Sequence, residues 1–306
     1  MGTPAFAVPT LHRIVESGHQ VLAVYTQPDR PKGRGQQTAF SPVKEAAVRH
    51  GLRVEQPERV RRPEVVQQLA AIEPEVMVVV GYGQIIPQSI IDIPPLGIIN
   101  VHASLLPKYR GAAPIQWAIA NGEQRTGVTT MRINAGLDTG DMLLKWATEI
   151  DPSENALTLG LRMSEAGADL LIETLRGLED ATVAPEPQDN EQATLAPILK
   201  KEDGLIDFHR PASEILNRMR GFLPWPGTYT WFRGQRFHVW SAKPVEPGPE
   251  SGVLEKRGRS FIVGCGENSA IELLEVQLEG KKRMDAVSFF NGNPVRSSER
   301  LGEQQS

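Results

Sequence analysis

A single cysteine, Cys265, among 306 residues excludes an internal disulfide framework and any multi-cysteine zinc or iron–sulfur centre. That scarcity fits a reducing compartment. The six histidines (His12, His19, His50, His102, His209, His238) show no HExxH spacing and no cluster at metal-ligand spacing, so no metal is expected. No apolar run approaches the roughly 20 residues of a membrane span, and the longest, such as Val76–Val80, suit buried strands. A net charge of −4 excludes a chain that is strongly basic throughout. Gly81-Tyr82-Gly83 lacks the third glycine of a dinucleotide fingerprint, no P-loop occurs, and Ser104 stands in no G-x-S-x-G elbow. Neither a basic and apolar leader nor an Arg-rich transit segment is visible, so a cytoplasmic setting is expected. A first strand is lacking too: Met1-Gly2-Thr3-Pro4 opens directly on turn residues.

The length suggests two domains at about 150 residues each. Up to about residue 180, short apolar runs alternate with helical patterns. Val21–Thr26, Val76–Val80 and Gly97–His102 read as strands, and 9–17, 42–50 and 63–72 as helices. Ser41 before Pro42 is an N-cap signal. This alternation predicts a parallel sheet in a doubly wound α/β domain, residues 1–181, closed by a long helix over 156–178. Residues 182–203 hold three prolines and no periodicity, as a linker would. Over 204–306 one helix, 212–222, precedes short Gly-bounded runs without intervening helices, which predicts a small antiparallel β-barrel.

Charge is segregated. Residues 1–50 carry +3, 51–150 carry −1, 151–203 carry −8 and 204–306 carry +2. The excess at the start sits in a long Gly/Pro-rich loop, 27–44, with Arg30, Lys32, Arg34 and Lys44 against Asp29 alone. A plain α/β connection needs only about 2–6 residues. A solvated basic loop and a phosphate-backbone contact both account for it. Lys256-Arg257-Gly258-Arg259 and Lys281-Lys282-Arg283 add basic clusters in the second domain.

Asn100 and His102 are two apart at the carboxyl end of an expected strand, so their side chains share one face where open parallel sheets bind ligands. An amide donor beside an imidazole suits acyl transfer, the amide stabilising an oxyanion and the imidazole relaying a proton. Spacing alone favours a core-edge histidine beside a turn-forming asparagine. Asn134–Asp141 reads as a tight turn by its Gly and Asp content, and Asp138 within it could also orient an imidazole.

Taken together, N-x-H-x-S-L-L-P-x-Y-R-G-x-A-P-x-Q over 100–116 and L-D-T-G-D over 137–141 resemble the folate-dependent formyltransferases. Gly2-Thr3-Pro4, Q-P-D-R-P-x-G-R-G over 27–35, Ser41–Lys44 and Pro224-Trp225-Pro226-Gly227 narrow the resemblance to the branch whose acceptor is methionyl-tRNA. The resemblance implies a Rossmann-like catalytic domain followed by an OB-like barrel. It implies transfer of formyl from 10-formyltetrahydrofolate to the α-amino group of methionyl-initiator-tRNA, giving the formylated tRNA of translation initiation, without a metal; the sequence carries no sign of oligomeric state, and a monomer is the default expectation. It implies Asn100, His102 and Asp138 as catalytic residues and Ser104, Leu105, Leu106 and Pro107 as the folate loop, bordered by Gln84, Ile85 and Ile86. Arg30, Lys32, Arg34 and Lys44, with Lys281, Lys282 and Arg283, would meet tRNA. A formyltransferase of amino sugar nucleotides shares the three catalytic types, but it gives no reason for the basic insert. In the family a first strand of about eight residues precedes G-T-P-x-F-A, so a start upstream of Met1, or a truncated record, is expected.

Overall fold

The computed structural model describes residues 1–32 and 37–302, and of residues 31, 32, 37 and 38 the backbone alone. In chain order the first part comprises α1 (Val8–Glu16), β1 (Val24–Tyr25), β2 (Arg30–Lys32), β3 (Gln37–Ala39), α2 (Pro42–Arg49), β4 (Val54–Glu55), α3 (Pro63–Ala71), β5 (Met77–Val79), α4 (Gln88–Ile91), β6 (Ile98–His102), β7 (Arg110–Gly111), α5 (Pro114–Ala120), β8 (Arg125–Arg132), β9 (Met142–Glu149), α6 (Ala156–Glu179) and β10 (Leu195–Ala196). Ser41 caps α2 as its position before Pro42 predicts, its hydroxyl accepting the Lys44 N–H at 3.1 Å.

The central sheet runs β5-β6-β8-β9, with β5 and β6 parallel. β1 and β4 form a parallel pair, and Met1–Gly2 lies between that pair and β5: the Gly2 N–H donates to the Tyr25 carbonyl and the Val80 N–H to the Met1 carbonyl, both at 2.9 Å. The expectation of an all-parallel sheet is corrected at β8 and β9, which run antiparallel to their neighbours. The loop 133–141 joining them is shorter than the dozen or so residues a parallel crossover needs.

β6 is buried at every position, because helices cover both faces of the sheet. On one face Val65 and Leu69 of α3 and Ile90 of α4 pack with Met77, Val79 and Ile98. On the other, Gly167 lets α6 approach Val101 and Val128, where an added Cβ would lie 3.0 and 3.2 Å from their methyls. Asn100 and His102 share the face of Ile98, and they stand at the end of the strand where helical cover stops and loops begin.

The second part comprises α7 (Ala212–Gly221), β11 (Tyr229–Phe232), β12 (Gln235–Val245), β13 (Leu254–Arg257), β14 (Ser260–Gly264), β15 (Ala270–Leu278), β16 (Met284–Asp285) and α8 (Ala286–Gly292). Its sheet is antiparallel throughout, ordered β11-β12-β15-β14-β13 with β16 on β15. Irregular register around Ser241 bends the long β12. Ile215 and Met219 of α7 and Phe289 and Phe290 of α8 fill one face against Phe232, Phe237, Phe261 and Leu273. Burying each such side chain is worth about 1.5–3 kcal/mol.

Two units separate by their internal contacts. One is Met1–Pro114, Arg125–Glu149 and Thr158–Pro197; the other is Ile115–Gln124, Ile150–Leu157 and Ile198–Ser306. Most of α5 thus groups with the second unit, where Trp117 meets the edge of Phe222 at 5.4 Å between ring centroids. The segment 182–203, which reads from sequence as a linker, is laid along the first unit as far as residue 197. Glu186 and Met142 exchange two backbone hydrogen bonds of 2.8 Å, and β10 pairs in parallel with β7. The exposed ends of β7 and β9 supply the partners that its backbone needs. Among the described residues no helix is long and apolar enough to cross a membrane.

Candidate active site

The structure gathers the Asn100/His102 strand end, the loop 103–109 and the turn around Asp138. His102 is buried, and its two ring nitrogens face different partners. Nε2 lies 2.9 Å from the Tyr109 carbonyl, and since a carbonyl only accepts, Nε2 carries the proton. Nδ1 faces Asp138 Oδ2 across 3.7 Å, too far for a direct hydrogen bond. The group hydrogen-bonded to the ring is thus the Tyr109 carbonyl rather than Asp138, and the left-handed backbone of Tyr109 (φ +61°) accompanies this placement.

Asp138 is held from two sides. Its Oδ2 accepts the Gly111 N–H at 2.8 Å, and its own carbonyl accepts from the Gln188 side chain at 2.8 Å. Gly111 is required there: its φ is +122°, and a Cβ would sit 2.6 Å from the Ala196 carbonyl. Asn100 is 9% exposed, and among the described residues nothing hydrogen-bonds its amide, which leaves its N–H groups free to meet a ligand oxygen.

The loop after β6 is pinned from β8. Thr129, fully buried opposite His102, donates its hydroxyl to the Ser104 carbonyl at 2.7 Å and accepts the Leu106 N–H at 3.1 Å. Ser104 donates to the Lys108 carbonyl at 2.6 Å, and Leu106 packs on Met131 and Met142. Ser104 and Leu106 thus shape the loop from within, while Leu105 and Pro107 are half-buried on it.

The remaining candidates divide. Gln84 is committed to the protein, accepting the Val60 N–H at 2.7 Å and donating to the Pro57 carbonyl at 3.0 Å. Ile86 packs against the core of β5 and α3, whereas Ile85 stands 88% exposed. Between Gly81 and Gly83, Tyr82 points into that core. Its hydroxyl is buried with no partner among the described residues, and burial pushes its pKa up to about 12. Arg30 is exposed; Arg34 and the Lys32 side chain lie outside the described residues. Lys44 is spent on an ion pair with Asp29 beneath the β2–β3 hairpin, stacked over Phe40 at 3.9 Å. The Lys44 ammonium and the Gln56 amide hold the Asp29 carboxyl below its usual range. In the second unit Lys281, Lys282 and Arg283 are exposed, Arg283 lying over Trp240 and pairing with Glu275.

Sequence reasoning missed Thr129, Arg110 and Gln188. Arg110 sits inside the Y-R-G signature without an assigned role. Thr129 is one of three threonines in the strand 125–132, where threonine is common, and Gln188 falls in the apparent linker. Among the described residues no group of three or more His, Cys, Asp or Glu is placed to hold a metal ion.

Comparison with known proteins identifies the family. The Formyl transferase family model matches residues 1–175, and the model of the Formyl transferase C-terminal domain matches 198–294. Methionyl-tRNA formyltransferase of Solibacter usitatus is 62% identical over 306 residues, covering 99% of this chain and 97% of its own. That of Koribacter versatilis is 59% identical, covering 100% of this chain and 98% of its own. Among solved structures, WlaRD, a sugar 3N-formyl transferase crystallised in the presence of dTDP and 5-N-formyl-THF, is 19% identical with a TM-score of 0.66 over 92% of this chain and 97% of its own. HypX of Aquifex aeolicus, at 16% identity, has a TM-score of 0.62 over 97% of this chain and 49% of its own. These two share the fold: a Rossmann-like α/β unit followed by an antiparallel unit. Full-length identity at this level decides the family. The chain belongs to the methionyl-tRNA formyltransferases.

Proposed function

We propose that this chain transfers the formyl group of 10-formyltetrahydrofolate to the α-amino group of methionyl-initiator-tRNA. The observation that carries the reading is the 62% identity to a methionyl-tRNA formyltransferase along the whole chain. The free Asn100 amide beside a buried imidazole supplies what formyl transfer asks of a site. The folate supplies the formyl group.

When the amine attacks, negative charge grows on the formyl oxygen, and the Asn100 N–H is the donor for it. Loss of one such donor typically costs about 100–1000-fold in rate. With Nε2–H held by Tyr109, the lone pair of His102 lies on Nδ1. There His102 takes the proton that the attacking amine must shed and passes it to the departing nitrogen. The imidazolium formed in between faces Asp138 across 3.7 Å, and that carboxylate stabilises it. Ser104, Leu105, Leu106 and Pro107 form the folate-facing loop, and Ile85, which stands exposed, offers the folate an apolar side chain. Gln84, through Val60 and Pro57, and Ile86, on the core of β5 and α3, hold the segment that carries Ile85.

Arg30, Lys32 and Arg34 of the insert and Lys281, Lys282 and Arg283 of the second unit are the cations offered to the tRNA backbone. The second unit is read as OB-like, supported by its bent, shared β12 and its open antiparallel order. The working division is a catalytic domain to residue 181 and a tRNA-binding domain from 204.

One comparison tests the reading. With 10-formyltetrahydrofolate supplied, methionyl-tRNA is expected to be formylated and an amino sugar nucleotide left unchanged; the opposite preference would overturn it. His102→Ala and Asp138→Ala are expected to lose formylation with the fold intact, and near wild-type activity in either would refute the assignment of roles.

A further inference from the structure

The mechanism uses Asp138, and nothing in it explains how a non-glycine residue is kept in the left-handed region at φ +50° on an exposed turn. We propose that Gln188 is a positioning residue for formyl transfer. Backed by Arg110, it locks the 138–140 turn so that the Asp138 carboxylate meets His102. The inference rests on the reading of Asp138 as a catalytic residue.

Gln188 Nε2 donates to the Asp138 carbonyl at 2.8 Å and to the Gly140 carbonyl at 2.7 Å, so the two hydrogens of one amide bridge both ends of the turn. Its Oε1 accepts from Arg110 Nε at 2.9 Å, and Arg110 donates in turn to Asn190 Oδ1 at 2.9 Å. Arg110 is 7% exposed, so the amide cannot flip without burying an Oε1 against two carbonyl oxygens and an NH2 against a guanidinium. Orientation is thus fixed by charge as well as by shape. Gly140 lies against the Arg132 carbonyl, where a Cβ would fall 1.8 Å away, so the turn is also seated closely on the end of β8.

The chain path explains why a residue 50 positions downstream does this. After α6 the chain pairs Glu186 with Met142 at the start of β9, and two residues later Gln188 overlies the turn that precedes β9. It then continues to β10, which pairs with Arg110 and Gly111. Gly111 donates to Asp138 Oδ2 at 2.8 Å, so the same strap fixes the carboxylate through β7 and the turn carbonyls through Gln188.

The test compares Gln188→Ala and Gln188→Glu with wild type. In steady-state formylation kcat is expected to fall by up to about 100-fold, with KM for the folate and for methionyl-tRNA unchanged, because displacement of a reacting group by about 1 Å costs that much. Gln188→Glu keeps an acceptor for Arg110 but turns a carboxylate on two carbonyls, so it should fall at least as far. A second readout is independent of activity. Amide exchange followed by NMR should quicken at Gly111, whose N–H depends on Asp138, and stay unchanged at Leu106, whose N–H depends on Thr129. An unchanged kcat, a rise in KM alone, or equal loosening at Gly111 and Leu106 overturns the proposal. If Gln188→Ala unfolds, Asn190→Ala removes only the far end of the relay, and an unchanged kcat there overturns it too. Should Asp138→Ala stay active while Gly111 loosens in Gln188→Ala, the role of Asp138 fails and the clamp stands.

Discussion

Replacing Thr129 by valine tests how the loop after β6 is held. The two side chains have nearly the same shape, and valine favours a strand at least as much as threonine. The substitution therefore isolates two hydrogen bonds. Thr129 is fully buried; its hydroxyl accepts the Leu106 N–H at 3.1 Å and donates to the Ser104 carbonyl at 2.7 Å. Valine leaves both backbone groups without a partner in the interior, at about 1–3 kcal/mol each. A strand-preference gain of up to about 1 kcal/mol offsets part of this. The net loss is about 1–6 kcal/mol, set against the roughly 5–15 kcal/mol that keeps a domain folded. At about 2–4 °C per kcal/mol, the transition of the first unit should drop by roughly 2–24 °C in calorimetry. Thr129→Ser keeps both bonds and loses one buried methyl, about 1 kcal/mol, so it should lie much nearer wild type. The same loop carries the residues read as folate-facing, so KM for the folate should rise in Thr129→Val more than in Thr129→Ser. A loss under about 0.5 kcal/mol in Thr129→Val, or a serine variant less stable than the valine variant, would refute the reasoning.

Other outcomes follow from the same structure. Asp29→Asn frees Lys44 beneath the insert; if Lys44 mainly serves to clasp the hairpin base to Asp29 and Gln56, KM for methionyl-tRNA should rise by up to about fivefold, the equivalent of one partly exposed ion pair, whereas tighter binding would make Lys44 a phosphate contact that Asp29 masks. Gly111→Ala forces a Cβ to 2.6 Å from the Ala196 carbonyl at a φ of +122°, so activity and stability should both fall, and a fully active variant in a formylation assay would argue against the β7–β10 register. Burial pushes the Cys265 thiol from its usual 9.0 up to about 12 and the Tyr82 phenol from 10.0 to about 12. Both folded-state values lie above the unfolded ones, so the unfolded chain releases protons first and stability should decline as pH rises from about 9 through about 12. Denaturant titrations across that range check it. Native Cys265 should resist alkylation until the second unit unfolds.

Much of the architecture is local in origin and was therefore open to sequence reasoning. Ser41-Pro42 starts α2 because a hydroxyl acceptor and a preset φ act within four residues. The strand at 98–102 follows from the β-branched residues Ile98, Ile99 and Val101, and i, i+2 periodicity puts Asn100 and His102 on one face without reference to anything distant. The reading of Asn100, His102 and Asp138 as catalytic came from signature resemblance, since spacing alone favours a core-edge histidine and a plain turn.

What tertiary structure alone decided are the interactions made across long stretches of chain. The direction of β8 and β9 depends on which sheet edge is vacant. The hydrogen bond that sets the His102 tautomer comes from a backbone carbonyl, which no residue type announces. Lys44 looks like any free cation until Asp29, 15 residues away, is folded against it. Gln188 lies in a proline-bearing acidic stretch with no periodicity, and only the antiparallel return past Met142 brings its amide over the Asp138 turn. Sequence by itself determined the residue types available for formyl transfer and the elements that carry them. The fold decided which of those side chains are free to act and which are spent holding the others in place.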